Sequence, residues 1–148
     1  DFVLMDFGAG YCDYRSDMTR TVVMGEPTQE QLDLYALVRR THEECVAAIH
    51  PGVEGTDIFK LSKKIIGDAG YGDYYNHGLG HGVGIDIHEL PNFNRSKNII
   101  EVGSVITMEP GVYLPGVGGV RLEDYGVVTE NGYEPFTKTP HDLHVIDC

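Results

Sequence analysis

Two pairs of acidic residues are spaced so that hairpins set each pair face to face. Asp6 and Asp17 lie eleven residues apart around Gly8-Ala9-Gly10. A hairpin centred on Tyr11-Cys12 places them opposite each other, with Cβ atoms ~4.5–5.5 Å apart. Glu109 and Glu123 lie fourteen apart around Pro115-Gly116-Val117-Gly118-Gly119, and a hairpin centred near Gly116 brings them within reach of each other. Opposed like charges destabilise a sheet. The apolar flanks Leu4-Met5-Asp6-Phe7 and Val105-Ile106-Thr107-Met108-Glu109-Pro110 predict that these acids are buried. Buried carboxylate pairs either share a proton or hold a cation. Four hard oxygen donors suit Mn, Mg or Ca.

Histidine widens that choice. The stretch from His77 to Glu89 holds His77, His81 and His88 among glycines at 78, 80, 82 and 84. Glycines there permit unusual backbone angles and close approach of other groups. Neither the dinucleotide GxGxxG spacing nor HExxH is present. An imidazole added to the carboxylates moves the preferred ion towards Mn, Co, Fe or Zn. His81 and His88 are seven apart, so a regular strand would place them on opposite faces. A bulge, or a strand that starts after His81, is therefore expected. His42, His50, His141 and His144 lack such a context and read as structural.

The rest of the chain supplies the scaffold. Residues 1–7 and 13–24 alternate like strands. Thr28 and Gln31 match a capping box, and Leu34, Leu37, Val38, Thr41, Cys45, Ala48 and Ile49 recur at helical spacing up to Pro51-Gly52. A second helix begins near Thr56-Asp57, carries Ile58, Leu61, Ile65, Ile66 and Ala69, and closes at Gly70 and Gly72. Strands are predicted over 82–89, 104–109, 118–129 and 132–136. The order β-β-α-α-β-β-β predicts an α+β fold, a curved antiparallel sheet covered by helices.

Composition bounds the partners. The 148 residues carry a formal charge of −12, which argues against nucleic acid or an anionic membrane as partner. No apolar run approaches the ~20 residues of a membrane span. Cys12, Cys45 and Cys148 are odd in number and form no CxxC, so no disulfide framework is expected and a cytoplasmic location is. Asp1 to Phe7 opens as a strand already in progress, with no initiator Met or leader. The expectation is the C-terminal portion of a longer protein.

Together these residues resemble the pita-bread metallopeptidases: Xaa-Pro aminopeptidase, prolidase and methionine aminopeptidase. The motifs run in order, with Asp6 in M-D-F-G-A, Asp17 in S-D-M-T-R-T, His81 in H-G-L-G-H-G-V-G, Glu109 in M-E-P-G-V-Y and Glu123 in V-R-L-E-D. His81 to Pro91 and G-V-R-L-E-D look more like the proline-specific branch than the methionine branch. Creatinase shares the fold but lacks the metal set.

The resemblance implies a pita-bread (creatinase/aminopeptidase) fold that is truncated here. Residues 1–148 would form the C-terminal part of a catalytic domain, without its N-terminal domain and most of its first half. It implies a dinuclear metallopeptidase, manganese-dependent in the first instance with Co, Zn or Fe as alternatives. The reaction would be hydrolysis of Xaa-Pro bonds by a metal-bridging hydroxide. Asp17 and Glu123 would bridge the ions, Asp6 would complete one, and His81 and Glu109 the other. The four carboxylates balance two dications. Glu109 would shuttle the proton. His88 would hydrogen-bond the substrate, and His77 would line its pocket. Arg121 would meet either the acids or a substrate carboxylate. The partner would be a peptide with proline after the scissile bond, and self-association is conceivable because a half-sheet exposes apolar surface. The alternatives are a methionine aminopeptidase or a non-catalytic pita-bread binding module, and the resemblance leaves the activity of the truncated chain itself open.

Overall fold

The computed structural model describes residues 1–93 and 97–147. Strand β1 (Phe2–Phe7) runs through β2 (Gly10–Tyr11), β3 (Tyr14–Arg15) and β4 (Met18–Met24) as one long hairpin. Its tip is Cys12-Asp13, with φ of 48° and 68°. Two consecutive left-handed residues make the hairpin turn whose twist matches that of the strands, and Asp tolerates that conformation. This moves the centre one residue beyond the expected one. Asp6 therefore pairs with Thr19 and not with Asp17. Asp17 takes a diagonal position, which keeps it near Asp6.

Helix α1 (Gln29–Ala47) starts on the expected capping box. The Thr28 hydroxyl accepts from the Gln31 N–H at 3.2 Å, and the Gln31 side chain accepts from the Thr28 N–H at 2.9 Å. Its buried face carries Leu34, Leu37, Val38, Thr41 and Cys45, the positions read from the periodicity. Helix α2 (Gly55–Asp68) packs against α1 and buries Ile58, Ile65 and Ile66.

The sheet beneath them has the order β11-β10-β7-β5-β6, built from β5 (His81–Gly82), β6 (Glu89–Asn92), β7 (Val105–Met108), β10 (Asp124–Thr129) and β11 (Gly132–Pro135). β8 (Gly111–Leu114) and β9 (Gly118–Arg121) form a separate hairpin. β12 (Val145–Ile146) lies parallel to β4, giving the order β1-β4-β12. A bridge between Thr19 and Glu123 ties β4 to the start of β10. One core collects Cys45, Ile58, Leu79, Ile106 and Met108. A second collects Leu34, Val38, Ile66, Val112, Val120 and Leu122.

Two strand predictions need correction, and two strands were not predicted. Residues 82–89 do not form a strand. Between β5 and β6 the chain makes a loop, and the Glu89 carboxylate accepts from the Asp86 N–H at 2.8 Å to close it. Residues 118–129 are two strands broken at Leu122-Glu123, and β8 and β12 were not foreseen. The expected burial of all four acids also fails at one. β1 is an outer strand among the described residues, so Asp6 is half exposed beside Met5 and Phe7, which are themselves exposed. Cys12 and Cys45 are free thiols, and Cys148 lies outside the described residues.

Candidate metal centre

Glu109 and Glu123 owe their meeting to an unbroken register. Met108 pairs with Asp124 and Gly111 pairs with Arg121. Two residues lie between these pairs on each side, so Glu109 and Glu123 stand opposite each other in the gap between two ladders. The Thr19 bridge then delivers Asp17, two residues upstream, to the same place.

His81 comes from the other side of the sheet. Gly80 and Gly82 let it approach: a Cβ at Gly80 would sit 2.3 Å from the Thr107 carbonyl oxygen, and one at Gly82 would sit 2.4 Å from that of Leu90. Only glycine fits at those two positions. The His81 ring nitrogen Nε2 then lies 3.3 Å from Glu109 Oε1 and 3.7 Å from Asp17 Oδ2. Ligand atoms of Asp17, His81 and Glu123 all lie within 4.8 Å of one another.

The electrostatics fit a cation. Burial, reinforced by Asp6, raises the Asp17 pKa despite His81, His88 and Arg121. Burial pushes Glu109 up to about 7, with Arg121 opposing and Asp17 and Asp6 adding to the rise. Glu123 is pushed up to about 8 by burial and then by Glu109, even though it accepts from the Thr19 hydroxyl at 2.6 Å. Burial also lowers His81, which favours the neutral imidazole that a metal requires. Carboxylates that resist ionisation when crowded, beside a neutral imidazole, form a donor set that a divalent ion would satisfy.

Asp6 stands apart from that trio, in an ion pair with Arg121. The Arg121 Nε–H donates to the Thr19 hydroxyl at 3.2 Å, and its Nη1 donates to the Tyr113 hydroxyl at 2.9 Å. Tyr113 in turn meets His77 Nε2 at 2.9 Å. Arg121 thus pairs with one of the acids, Asp6. The His81 and His88 rings pack edge to face with centroids 4.3 Å apart, because the loop between β5 and β6 folds back on itself. A cavity of about 680 Å³ opens here, lined by His77, His81, His88, Glu109, Tyr113 and Arg121 among others.

Several contributors escaped the sequence reading. Thr19 and Thr107 hold Glu123 and His81, the latter through a 3.0 Å bond from the His81 N–H. Threonines two residues from Asp17 and Glu109 on strands are the only signal they left. Tyr113 left none beyond its place on the Glu109 hairpin.

Arg20 is the largest omission. Its guanidinium, nearly inaccessible to solvent, donates to the backbone oxygens of Thr19, Glu123, Thr139 and Pro140 and to Asp124 Oδ1. Asp124 also accepts from His141 Nε2 at 2.7 Å. Burial pushes the Asp124 pKa up, but those hydrogen bonds and the nearby positive charge outweigh it, and the net shift is downward.

The sequence model of metallopeptidase family M24 matches residues 1–130. The Xaa-Pro dipeptidase of Pyrococcus furiosus is 44% identical over 144 residues, which cover 97% of this chain and 41% of that protein. The Xaa-Pro dipeptidase of Lactobacillus delbrueckii subsp. lactis is 42% identical, covering 99% of this chain and 40% of that one. The solved prolidase from Pyrococcus horikoshii OT3 matches with a TM-score of 0.94 at 42% identity, covering 97% of this chain and 42% of that chain. The X-Pro aminopeptidase from Thermotoga maritima MSB8 matches with a TM-score of 0.95 at 35% identity, covering 99% and 42%. The chain spans about two fifths of the length of these relatives. The curved sheet under two helices is the pita-bread fold that the resemblance implies.

Proposed function

The chain belongs to metallopeptidase family M24, and on that premise we propose that it carries the metal centre of an Xaa-Pro peptidase of the prolidase or aminopeptidase P type. The convergence of Asp17, His81 and Glu123, with Glu109 3.3 Å from His81, carries this reading. Asp6, Asp17, His81, Glu109 and Glu123 would hold two divalent ions, manganese in the first instance. When bound, such ions supply Lewis acidity and an acidified water near neutrality.

The chain's own residues divide the remaining work. Glu109 faces the cavity, and a carboxylate there is placed to take a proton from the attacking water and pass it to the leaving nitrogen. His88, against His81 on the cavity wall, would donate to the substrate carbonyl. His77 and Tyr113 would line the pocket that receives the peptide. Arg121 would hold Asp6 and Tyr113 in place, orienting a ligand from behind. The likeness to an Xaa-Pro dipeptidase and an X-Pro aminopeptidase favours a substrate with proline after the scissile bond.

Metal analysis of dialysed protein tests the centre. We expect up to two manganese ions per chain, and loss of tight binding in Asp17→Asn. A folded chain that retains no divalent ion would sink the reading. Cleavage of Ala-Pro but not Met-Ala peptides by the whole protein is the expected specificity, and the reverse pattern would select a methionine aminopeptidase.

A further inference from the structure

Behind the centre just described lies a second donor cluster. His42 on α1, Asp124 on β10 and His141 on the C-terminal segment place ligand atoms within 4.8 Å of one another. His42 is 2% exposed, and its Nε2 is the buried side-chain nitrogen among the described residues that has no hydrogen-bond partner. It points at Asp124 Oδ2 from 3.5 Å, too far for a good bond. His141 Nε2 lies 2.7 Å from the same oxygen, and the two imidazoles meet edge to face at 4.7 Å. A buried polar atom left without a partner in a native fold calls for an explanation.

We propose that His42, Asp124 and His141 bind one zinc-class divalent ion, separate from the carboxylate centre. Two imidazoles and one carboxylate form a common set of three protein ligands for zinc, whose bonds of ~2 Å span donors at these separations. Burial holds His42 neutral, the form that coordinates. Arg20 occupies Asp124 Oδ1 at 2.6 Å and leaves Oδ2 to face the imidazoles, the outer-shell arrangement that orients a ligating carboxylate. All five guanidinium N–H groups are engaged, so Arg20 stays fixed while the ion binds. An entry path exists as well. Asp124 and His141 line an open cavity of about 430 Å³ that reaches solvent beside Thr139 and Lys138. The ion would staple the C-terminal segment to α1 and to the strand that begins immediately after Glu123.

The probe is zinc chloride added to metal-stripped protein, with bound zinc counted after buffer exchange. An Asp17→Asn background weakens the first centre, so that its failure and the failure of the second are read separately. One zinc should remain in Asp17→Asn, raising its Tm, and both the zinc and the Tm gain should vanish in Asp17→Asn/His141→Ala. Zinc-edge diffraction should place a peak between His42 and Asp124. His141 lies at the surface of the fold, and circular dichroism checks that the variant is folded; His42→Gln provides a second variant that keeps the side chain's bulk. Equal zinc retention with and without His141, or no zinc peak at His42, would overturn the proposal.

Discussion

Glu123 and Asp124 are neighbours in sequence and almost equally buried, at 2% and 3% exposure, yet burial acts on them with opposite outcomes. Successive residues of a strand point to opposite faces. Glu123 faces Glu109, Asp17 and Asp6, and its pKa rises to about 8. Asp124 faces Arg20, His42 and His141, and its pKa falls. Desolvation opposes ionisation on both faces, so the partners decide. One face is an excess of anions that a cation would relieve. The other holds an anion already matched by a fixed guanidinium. The same peptide therefore carries a ligand that costs stability without its ion and an anchor that supplies it.

Matched substitutions at the two positions should separate these roles most strongly. Asp124→Asn leaves Arg20 buried without its counter-charge, and removing one member of a buried pair costs about 3–5 kcal/mol. For a domain of this size that lowers Tm by roughly 10 °C. Glu123→Gln removes a charge that the metal-free fold resists. Its metal-free Tm at pH 7 should hold or rise, while its affinity for manganese collapses. Thermal melts of both variants with and without manganese check this, and equal losses of Tm in the metal-free state would dissolve the contrast.

The pH dependence of the metal-free protein sharpens it. Glu123 has a folded pKa of about 8 against an ordinary 4.5, so between those values the folded state keeps a proton that the unfolded chain releases. Stability therefore falls as pH rises through that window. His42, depressed to about 4, contributes the opposite slope, but only below its unfolded value of 6.5; His77 and His81, lowered as well, share that upper limit. Asp124 loses its contribution only as pH falls through a folded pKa below 3.8. From pH 6.5 to 8 the histidines no longer contribute, and Glu123 acts in the same direction as Glu109, itself raised to about 7; the Glu123 share is worth up to about 2 kcal/mol over that span. Urea unfolding across it should show declining stability, flattened by manganese and made shallower by Glu123→Gln, the remaining slope below about pH 7 coming from Glu109. A flat profile in the metal-free wild type would contradict the raised pKa.

The carboxylate face was legible because its donors carry local marks. Asp6, Asp17, His81, Glu109 and Glu123 each stand in a short motif, and the spacing of Glu109 and Glu123 gave the right register because no bulge interrupts it. The hairpin holding Asp17 slipped by one residue at its centre, since nothing in the spacing signals two left-handed residues at Cys12-Asp13. The loop between His81 and His88 depends on Glu89 closing it, a side-chain contact that alternation does not encode. Arg20 and Asp124 lie inside S-D-M-T-R-T and V-R-L-E-D, but nothing in those motifs ties the two together. Arg20 lies 104 residues from Asp124, and His42 and His141 come from a helix and a terminal segment, so only the folded chain brings them together.

The smallest expected effect probes the seam between the two faces. Thr19 donates its hydroxyl to Glu123 at 2.6 Å, while its backbone oxygen accepts from Arg20 at 2.9 Å. Like Glu123, whose backbone oxygen accepts from Arg20 at 2.7 Å, it touches both clusters. Thr19→Val keeps the shape and the backbone contact and removes only the hydroxyl. Hydrogen bonds to charged groups are worth about 1.5–3 kcal/mol at most, and a ligand-orienting partner typically shifts metal affinity by about tenfold or more. The hydroxyl also receives the Arg121 Nε–H, so its loss loosens the guanidinium that pairs with Asp6. Manganese affinity should therefore drop about tenfold, while the Arg20–Asp124 pair stays intact and the metal-free Tm falls less than in Asp124→Asn. Isothermal titration with manganese measures the first and a thermal melt the second. A large fall in metal-free Tm with affinity intact would mean that Thr19 serves the anchoring face, and that the two clusters are one structural unit.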